Sequence, residues 1–350
     1  MGASPFLAGL LVSVYGLCQL VAGAVLGPLS DRVGRKPVLL VSQGGTLIGF
    51  LILAFAQTLP LVFLSRIIDG LTAGNLSVAQ AYIADVTEPR ERAGAFGLIG
   101  IAFGIGFLLG PAISGLLAPL GLHYPIFAAA GLSATSIVLT QSLLPSRKPA
   151  LTEKRKGLPW DHYARWFKTP GLSMLLWQFT AFIFAFAMFV STFPLFAERR
   201  FASNGSPVGA KEVGLMYAYW GLIGIVIQGG LIRKLVQRFG EKNLILTGFV
   251  CSVGAYLLLV RSSDFYSLFF LLTLSAVGGS FLRPSLTSLI TQRVEKTEQG
   301  MVLGLLQAIM SIAQIVSPAI GGLMMGKLYL GPWAWIGAVI SMLGLAAFAF

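Results

Sequence analysis

The stretch that organises this sequence is Gly27-Pro28-Leu29-Ser30-Asp31-Arg32-Val33-Gly34-Arg35-Lys36-Pro37. It lies between two long apolar segments, and five of its eleven residues carry strongly polar or charged side chains. Such side chains are costly in hydrocarbon, so the stretch has to lie at a membrane surface. The pattern predicts a tight turn that joins two antiparallel membrane-spanning helices.

The composition is that of a chain solvated mainly by lipid. Of its 350 residues, 56% are hydrophobic and only 11% are charged, whereas soluble proteins carry about 25% charged residues. The net charge of +12 comes from short basic clusters between apolar runs, so we do not predict nucleic-acid binding. The two cysteines lie inside apolar segments, the two histidines are isolated, and no nucleotide-binding motif or enzyme constellation is present. We therefore predict no metal, no cofactor and no catalytic activity.

Polar breaks divide the chain into eleven segments that are long enough to span a bilayer. The one long break, at residues 145–170, predicts a linker with an amphipathic piece near residues 160–167. The sequence thus predicts an all-α integral membrane protein with an N-terminal bundle at 1–144, this linker, and a C-terminal bundle at 171–350. The segments are 5–28, 38–56, 60–86, 93–118, 123–144, 171–197, 212–232, 243–260, 265–291, 299–326 and 331–350.

Lysine and arginine are distributed unequally between the two predicted sides. Alternate breaks, which include residues 32–36 and the linker, hold 18 of these residues, and the other breaks hold five. Basic residues mark cytoplasmic loops. We therefore predict a multi-pass protein of the plasma (cell inner) membrane, with the turn at 27–37, the linker and the C-terminus in the cytoplasm.

The two halves are related in sequence. Residues 97–115 match 304–322 at an offset of 207, and residues 32–36 match 238–242 at an offset of 206. Two similar helical halves in parallel orientation are a transporter design, with the substrate site between them. The first half has five predicted spans and the second has six. One span is missing at the front, which predicts a truncated chain or an incomplete gene model.

Four patterns resemble the major facilitator superfamily. The turn matches the family's signature loop, a helical segment carries Arg66-Ile67-Ile68-Asp69-Gly70 and ends in residues 79–87, and residues 106–115 are similar to the glycine-proline motif of drug:proton antiporters. The nearest branch resembles tetracycline-resistance proteins. The resemblance implies the major facilitator fold of two pseudo-symmetric bundles, with twelve helices expected and the first absent. The antiporter-motif residues are Gly106, Gly110, Pro111 and Gly115.

We predict that the signature turn is a cytoplasmic latch between the halves. Gly27 is expected where its helix crosses the other half, and Asp31 is placed to accept hydrogen bonds at the helix N-terminus near residues 297–299. Arg35 is placed to pair with Asp85. The alternative is a plain positive-inside turn that fixes topology. The latch set is Gly27, Asp31, Arg32, Gly34, Arg35, Lys36 and Asp85, of which Arg32 and Lys36 are expected only to fix topology.

Arg66 and Asp69 are the candidates for proton coupling. Asp69 lies about 14 Å into its span at 1.5 Å per residue, and an ionisable group there indicates function. The i,i+3 spacing allows Arg66 and Asp69 to pair. Asp69 then either exchanges a proton while Arg66 controls its charge, or forms a permanent structural bridge with Arg66. The family pattern has a polar amide at the Asp69 position, and this chain departs from it.

Scattered amides and aromatic side chains are the candidates for a substrate cavity. Such a lining favours amphipathic organic molecules over ions or sugars. Arg283 either lines the cavity or extends to the membrane surface. The cavity candidates are Ser77, Gln80, Gln178, Phe182, Tyr217, Gln228, Arg283, Gln307 and Gln314.

These observations predict a monomeric secondary transporter in the lipid bilayer that works by alternating access. The preferred activity is proton-coupled efflux of a small amphipathic organic compound or drug. Two alternatives remain open at this point. One is a proton symporter or a facilitator for a metabolite, and the other is a truncated membrane protein that does not transport.

Overall fold

The computed structural model describes residues 4–87, 112–145, 164–203, 206–262, 266–294 and 299–347, together with five separate residues between 102 and 110. The described chain is almost entirely helical, which confirms the all-α prediction. Its short elements are a 3-10 helix at Ala118–Leu120, a π-helix at Ile227–Leu231, and two paired strands, β1 (Ala202–Ser203) and β2 (Ser206–Pro207). The α-helices are α1 Pro5–Val33, α2 Arg35–Phe55, α3 Leu59–Leu71, α4 Asn75–Val86, α5 Tyr124–Leu143, α6 Leu172–Arg200, α7 Ala210–Val226, α8 Ile232–Arg261, α9 Ser267–Gln292, α10 Gln299–Gly326 and α11 Leu330–Ala346.

Long apolar helices dominate the described part of the chain. Within it, seven helical segments are long and apolar enough to cross a membrane. One of these, at 210–261, includes a turn at Gly240, where φ is 76° and ψ is 156°. The count of eleven spans stays a prediction, because parts of the chain lie outside the described residues.

The polar stretch at 27–37 forms a tight turn. α1 continues to Val33 and α2 begins at Arg35, so Gly34 alone joins them. Gly34 has a φ of 105°, a conformation that favours glycine because a Cβ would be strained there. The amide of Gly34 donates a hydrogen bond to the Ser30 carbonyl at 3.1 Å, which ends α1.

The single continuous helix expected at 60–86 is wrong, because α3 and α4 are separated by a break at residues 72–74. Ser42 of α2 contacts both sides of this break. Its hydroxyl donates to the Thr72 carbonyl and accepts from the Gly74 amide at 2.9 Å. Non-helical backbone at membrane depth is tolerated where protein groups satisfy it. The break therefore depends on a side chain from another helix.

Contacts between the two halves run mainly through α1 and α10. In the first half α2 packs on α3 and α5, and in the second half α6 packs on α10 and α11. One core of the second half includes Phe193, Phe196 and Trp333, and another includes Leu176 and Ile245. Below, the end of the molecule that carries Arg35 is called the basic face, and the end that carries Pro5 is called the opposite face.

Candidate functional site

The predicted Arg66–Asp69 pair forms on α3. Arg66 Nη1 lies 3.5 Å from Asp69 Oδ2. Asp69 is only 5% exposed, although it is ionisable. Arg66 Nη2 is also buried and has no hydrogen-bond partner among the described residues. The pair is therefore an incompletely satisfied charged group inside a helical bundle, an arrangement that is expensive to build.

Two neighbouring helices enclose the pair. On α2, the ring centroid of Phe50 lies 5.9 Å from the Arg66 guanidinium carbon, and a Cβ on Gly49 would lie 2.9 Å from the Asp69 Cβ. On α1, Tyr15 and Cys18 lie against Gly70, where an added Cβ would be 2.6 Å from the Cys18 Cβ. The proton-coupling candidates thus sit where α1, α2 and α3 meet.

The predicted contact between Arg35 and Asp85 is also present. Arg35 Nε donates to Asp85 Oδ2 at 2.9 Å, and Arg35 Nη1 donates to Ser30 Oγ at 2.6 Å. Asp85 is half exposed, with 46% of its side chain accessible. Both partners belong to the first half, so the pair ties α2 to α4. Its role as a latch stays a prediction.

The remaining turn residues have mixed outcomes. Arg32 is exposed, as expected for a residue that only fixes topology. Lys36 does more than fix topology, because its Nζ donates to the Gln141 carbonyl at the end of α5 at 2.8 Å. Gly34 is the buried joint described above. The side chain of Asp31 and its expected partners at 297–299 lie outside the described residues.

The expected helix crossing at Gly27 stays a prediction. A Cβ on Gly27 would have no described atom within 4 Å, whereas one on Gly9 would lie 3.4 Å from Ala319 Cα. Ser13 Oγ donates to the Ile315 carbonyl at 2.5 Å. The described contacts between the halves therefore include the part of α1 around Gly9 and Ser13.

Three cavity candidates lie inside the second half instead of on an open surface. Gln178 is fully buried, and its Nε2 donates to the Gly344 carbonyl at 3.2 Å. Tyr217 donates its hydroxyl to the Val190 carbonyl at 2.7 Å. Phe182 is buried in the core and packs against Phe186. In this structure the three side chains hold helices of one bundle together, and their contact with substrate stays a prediction.

The other cavity candidates are more accessible. Gln228 and Gln307 are exposed, and Gln314 is half-buried. Gln228 Nε2 lies 3.5 Å from Ser280 Oγ, and Arg283 Nη2 lies 3.9 Å from the Met310 sulfur. Their contact with substrate stays a prediction. The side chains of Ser77 and Gln80 lie outside the described part of the chain.

The glycine-proline segment is described only in part. Gly115 packs against α7, where an added Cβ would lie 3.1 Å from Gly214 Cα and from the Lys211 carbonyl. A Cβ on Gly106 or Gly110 would meet no described atom within 4 Å. Pro111 lies outside the described residues. Across the described chain, no group of three or more metal-ligating side chains comes together.

A family model described as Major Facilitator Superfamily matches residues 1–236 and 229–350, which together cover the whole chain. This chain belongs to the major facilitator superfamily. Over 322 residues it is 32% identical to the class C tetracycline resistance protein of Escherichia coli, a match that covers 89% of this chain and 78% of that protein.

Other major facilitator proteins show the same relationship. The chain is 26% identical over 320 residues to multidrug resistance protein 1 of Bacillus subtilis, with 90% of this chain and 80% of that protein covered. The crystal structure of the human organic anion transporter MFSD10 has a TM-score of 0.71 at 23% identity, covering 96% of this chain and 83% of that one. The structural likeness supports the fold.

Sequence reasoning missed two residues of this major facilitator site, Gly49 and Phe50. Both lie on α2, where Gly49 follows Gly45 by four positions. This Gly-x-x-x-Gly spacing was the available signal, because it is typical of close packing between membrane helices. It marks a helix face that approaches a neighbour, but it does not identify the neighbour.

Proposed function

We propose that this major facilitator protein exports a small amphipathic organic compound in exchange for protons. The observation that carries the proposal is the Arg66–Asp69 pair, in which Asp69 is buried inside the membrane domain. Ionisable groups in such a setting mark ion or proton pathways. Two of the chain's relatives are named for resistance to tetracycline and to multiple drugs, which supports an organic drug as cargo.

Asp69 is the proposed proton carrier. While Asp69 is ionised, its charge balances that of Arg66. Uptake of a proton leaves the Arg66 charge uncompensated in a site of low dielectric constant, where such a charge is costly. Protonation therefore changes the free-energy difference between the two conformations of the transporter. In the competing role, Asp69 and Arg66 form a permanent structural bridge.

The contacts between α1 and α10 at Gly9 and Ser13, where the two halves meet, support a two-bundle transporter with alternating access. We assign the basic face to the cytoplasm on the Lys and Arg distribution. Under this assignment the protein is a monomer in the plasma (inner) membrane, with the linker at 145–170 and the C-terminus on the cytoplasmic side. Under the same proposal the protein is a transporter and not an enzyme.

The turn at 27–37 is the proposed cytoplasmic gate. The Arg35–Asp85 pair holds the turn against α4. This contact keeps the backbone of the turn in place while the two halves move. When the halves close on the basic face, the segment around Gly27 and Asp31 approaches α10. The gate residues would then contact the second half only in the cytoplasm-closed state.

The first test is Asp69→Asn in inverted membrane vesicles that contain the full chain. Tetracycline and a fluorescent amphipathic cation serve as probes, and an imposed pH gradient drives transport. We expect the variant to lose uphill accumulation and to retain downhill exchange, because the neutral amide fills the same space but carries no proton. Glu198→Gln is the matched control, since it removes an exposed carboxylate that lies outside the proposed proton site and the proposed gate.

The same assay separates the alternatives. If Asp69→Asn accumulates the probes as well as the parent does, the coupling role of Asp69 is wrong and the structural-bridge role stands. Movement with the proton gradient would indicate a symporter, and movement that is independent of the gradient a facilitator. A parent protein that moves neither probe in any direction is not an exporter of these compounds.

A further inference from the structure

Arg283 is the single charged side chain deep within the predicted spans of the second half. Apart from Glu212 at the first position of its span, the six predicted spans between residues 171 and 350 contain no other acidic or basic residue. Arg283 lies nine residues before the end of α9 at Gln292, about 14 Å at 1.5 Å per residue. An ionisable side chain at such a depth indicates a functional site with a partner of opposite charge. The spans of the second half supply no carboxylate at this depth.

The guanidinium group of Arg283 lies against the middle of α10 and not at a membrane surface. Arg283 Nη2 is 3.9 Å from the Met310 sulfur. Met310 lies 11 residues, about 16 Å, from the start of α10 at Gln299. A thioether is a weak hydrogen-bond acceptor, so this contact positions the cation without neutralising it. The structure therefore favours the role of Arg283 inside the membrane over its extension to the surface.

The helices on the two sides of Arg283 both contact the first half of the protein. On α7, the Gly214 Cα would lie 3.1 Å from a Cβ on Gly115. On α10, the carbonyl carbon of Gln314 would lie 3.5 Å from a Cβ on Gly16 of α1. The faces of α7 and α10 that carry these contacts are therefore turned toward the other half, where the substrate site of such a transporter lies.

Two glutamines continue these faces toward the depth of the arginine. Gln228 follows Gly214 by 14 residues, and Gln307 precedes Gln314 by seven. Both spacings are close to whole numbers of helical turns, and both side chains are exposed. Gln228 Nε2 also lies 3.5 Å from the Oγ of Ser280, one turn before the arginine on α9. Amide and hydroxyl groups thus surround one cation on this face.

The π-helix at Ile227–Leu231 borders open space beside this face. Such π-helical turns are rare and occur frequently at functional sites. A Cβ on Gly229 or Gly230 would meet no described atom within 4 Å. On α9, a Cβ on Gly279 would lie 3.6 Å from the ring of Phe186, so an aromatic ring packs one turn away from the arginine. An apolar wall therefore lies next to the cation.

We propose that this face is an anion site, formed by Gln228, Arg283, Gln307 and Gln314, which binds an acidic oxygen of the cargo. The inference rests on the proposed export of an amphipathic compound and names its class, an organic anion. The planar guanidinium group fits a carboxylate with two parallel hydrogen bonds. The amides add neutral donors, and the aromatic wall binds the apolar part of the cargo. Arg283 is thus the residue that determines charge selectivity.

The experiment is equilibrium binding to the purified full chain in nanodiscs of zwitterionic lipid at pH 7, where a carboxylate is ionised. One probe is a dansyl carboxylate, and the other is the same dansyl group joined to a quaternary ammonium. The two probes share their apolar part and differ in the sign of their charge. Probe fluorescence gives each Kd. We expect the parent to bind the carboxylate about tenfold more tightly than the ammonium, because only the carboxylate gains charge-assisted hydrogen bonds.

Arg283→Gln is expected to weaken binding of the carboxylate about tenfold without weakening binding of the ammonium, because a charged hydrogen-bonding partner is lost. Arg283→Lys keeps the charge but not the planar pair of donors, so a loss of about threefold is expected. Arg261→Gln is the matched control, because it removes an exposed arginine at the end of α8, and both Kd values should stay unchanged. Gln307→Glu places a carboxylate on the same face and should reverse the preference between the probes by like-charge repulsion.

The outcomes separate the anion site from the proposed function. Unchanged carboxylate binding in Arg283→Gln, or an equal loss of both probes, overturns the anion site. If Arg283→Gln fails to fold, an unchanged preference in Gln307→Glu overturns it in the same way. The expected binding pattern without accumulation of the carboxylate in inverted vesicles under a pH gradient contradicts export and leaves the anion site intact. Accumulation of the ammonium alone supports export and overturns the anion site.

Discussion

The turns at residues 32–36 and 238–242 lie 206 residues apart and have closely similar backbones. In each, one glycine of positive φ joins two helical segments: Gly34 at 105° and Gly240 at 76°, with ψ near 155° in both. The side chain that follows each glycine then contacts the helix that ends nearby. The two halves thus form a tight turn at the basic face with a similar backbone conformation.

The charges at the two turns differ. In the first half, Arg35 pairs with Asp85 at 2.9 Å. In the second half, Glu241 takes the place of Arg35 and accepts hydrogen bonds from Ser288 at 2.5 Å and from Gln292 at 3.2 Å. Gln292 lies 207 residues after Asp85, so it occupies the equivalent position. The fold requires the turn, whereas the ion pair is a property of the first half alone.

The largest effect on transport is expected when the first turn receives the acidic residue that the second turn has at the equivalent position. Arg35→Glu places two carboxylates side by side, and we expect transport to fall about tenfold, since an attraction of up to about 1 kcal/mol becomes a repulsion. Arg35→Glu combined with Asp85→Gln reproduces the pairing of the second half and should recover most of the rate. Initial rates of probe export at equal membrane abundance measure both variants. Full activity of Arg35→Glu alone would show that the ion pair has no gating role.

A smaller effect is expected from the shared glycines. Gly34→Ala and Gly240→Ala each force a side chain into an essentially glycine-only backbone region, at a cost of at least about 1 kcal/mol. The melting temperature of the purified protein should therefore fall by about 2 °C in each case. Gly44→Ala on α2 is the matched control, because that position is helical with no described atom within 4 Å of an added Cβ. Equal melting temperatures for all three variants would contradict the common strain of the two turns.

The smallest effect is expected at Glu241. In Glu241→Gln the amide oxygen still accepts hydrogen bonds from Ser288 and Gln292, so stability and transport should stay within about 0.5 kcal/mol of the parent. Asp85→Asn removes a true counter-charge and should slow transport about two-fold. The same export assay compares the two. If Glu241→Gln loses more of the export rate than Asp85→Asn does, the second turn matters more for transport than the first, contrary to this prediction.

Several features of the site could be predicted from the sequence, because a polar residue in an apolar segment has few acceptable surroundings. The Arg66–Asp69 and Arg35–Asp85 contacts are of this kind. The cavity candidates Gln178 and Tyr217 could not be placed in the same way. An apolar helix that packs on several sides has no polar face to show which residues line a cavity and which lie in a core.

The sequence by itself determined the fold class, the family and the positions of the polar turns, since hydrocarbon excludes charge and the turn at 34 needs a glycine. The tertiary structure decided which helix faces meet. The break between α3 and α4 depends on Ser42, and the close approach of a neighbouring helix to Asp69 depends on Gly49, each brought from α2. These contacts join residues about 20 to 30 positions apart through close helix packing, and no local pattern in the chain specifies such a pairing.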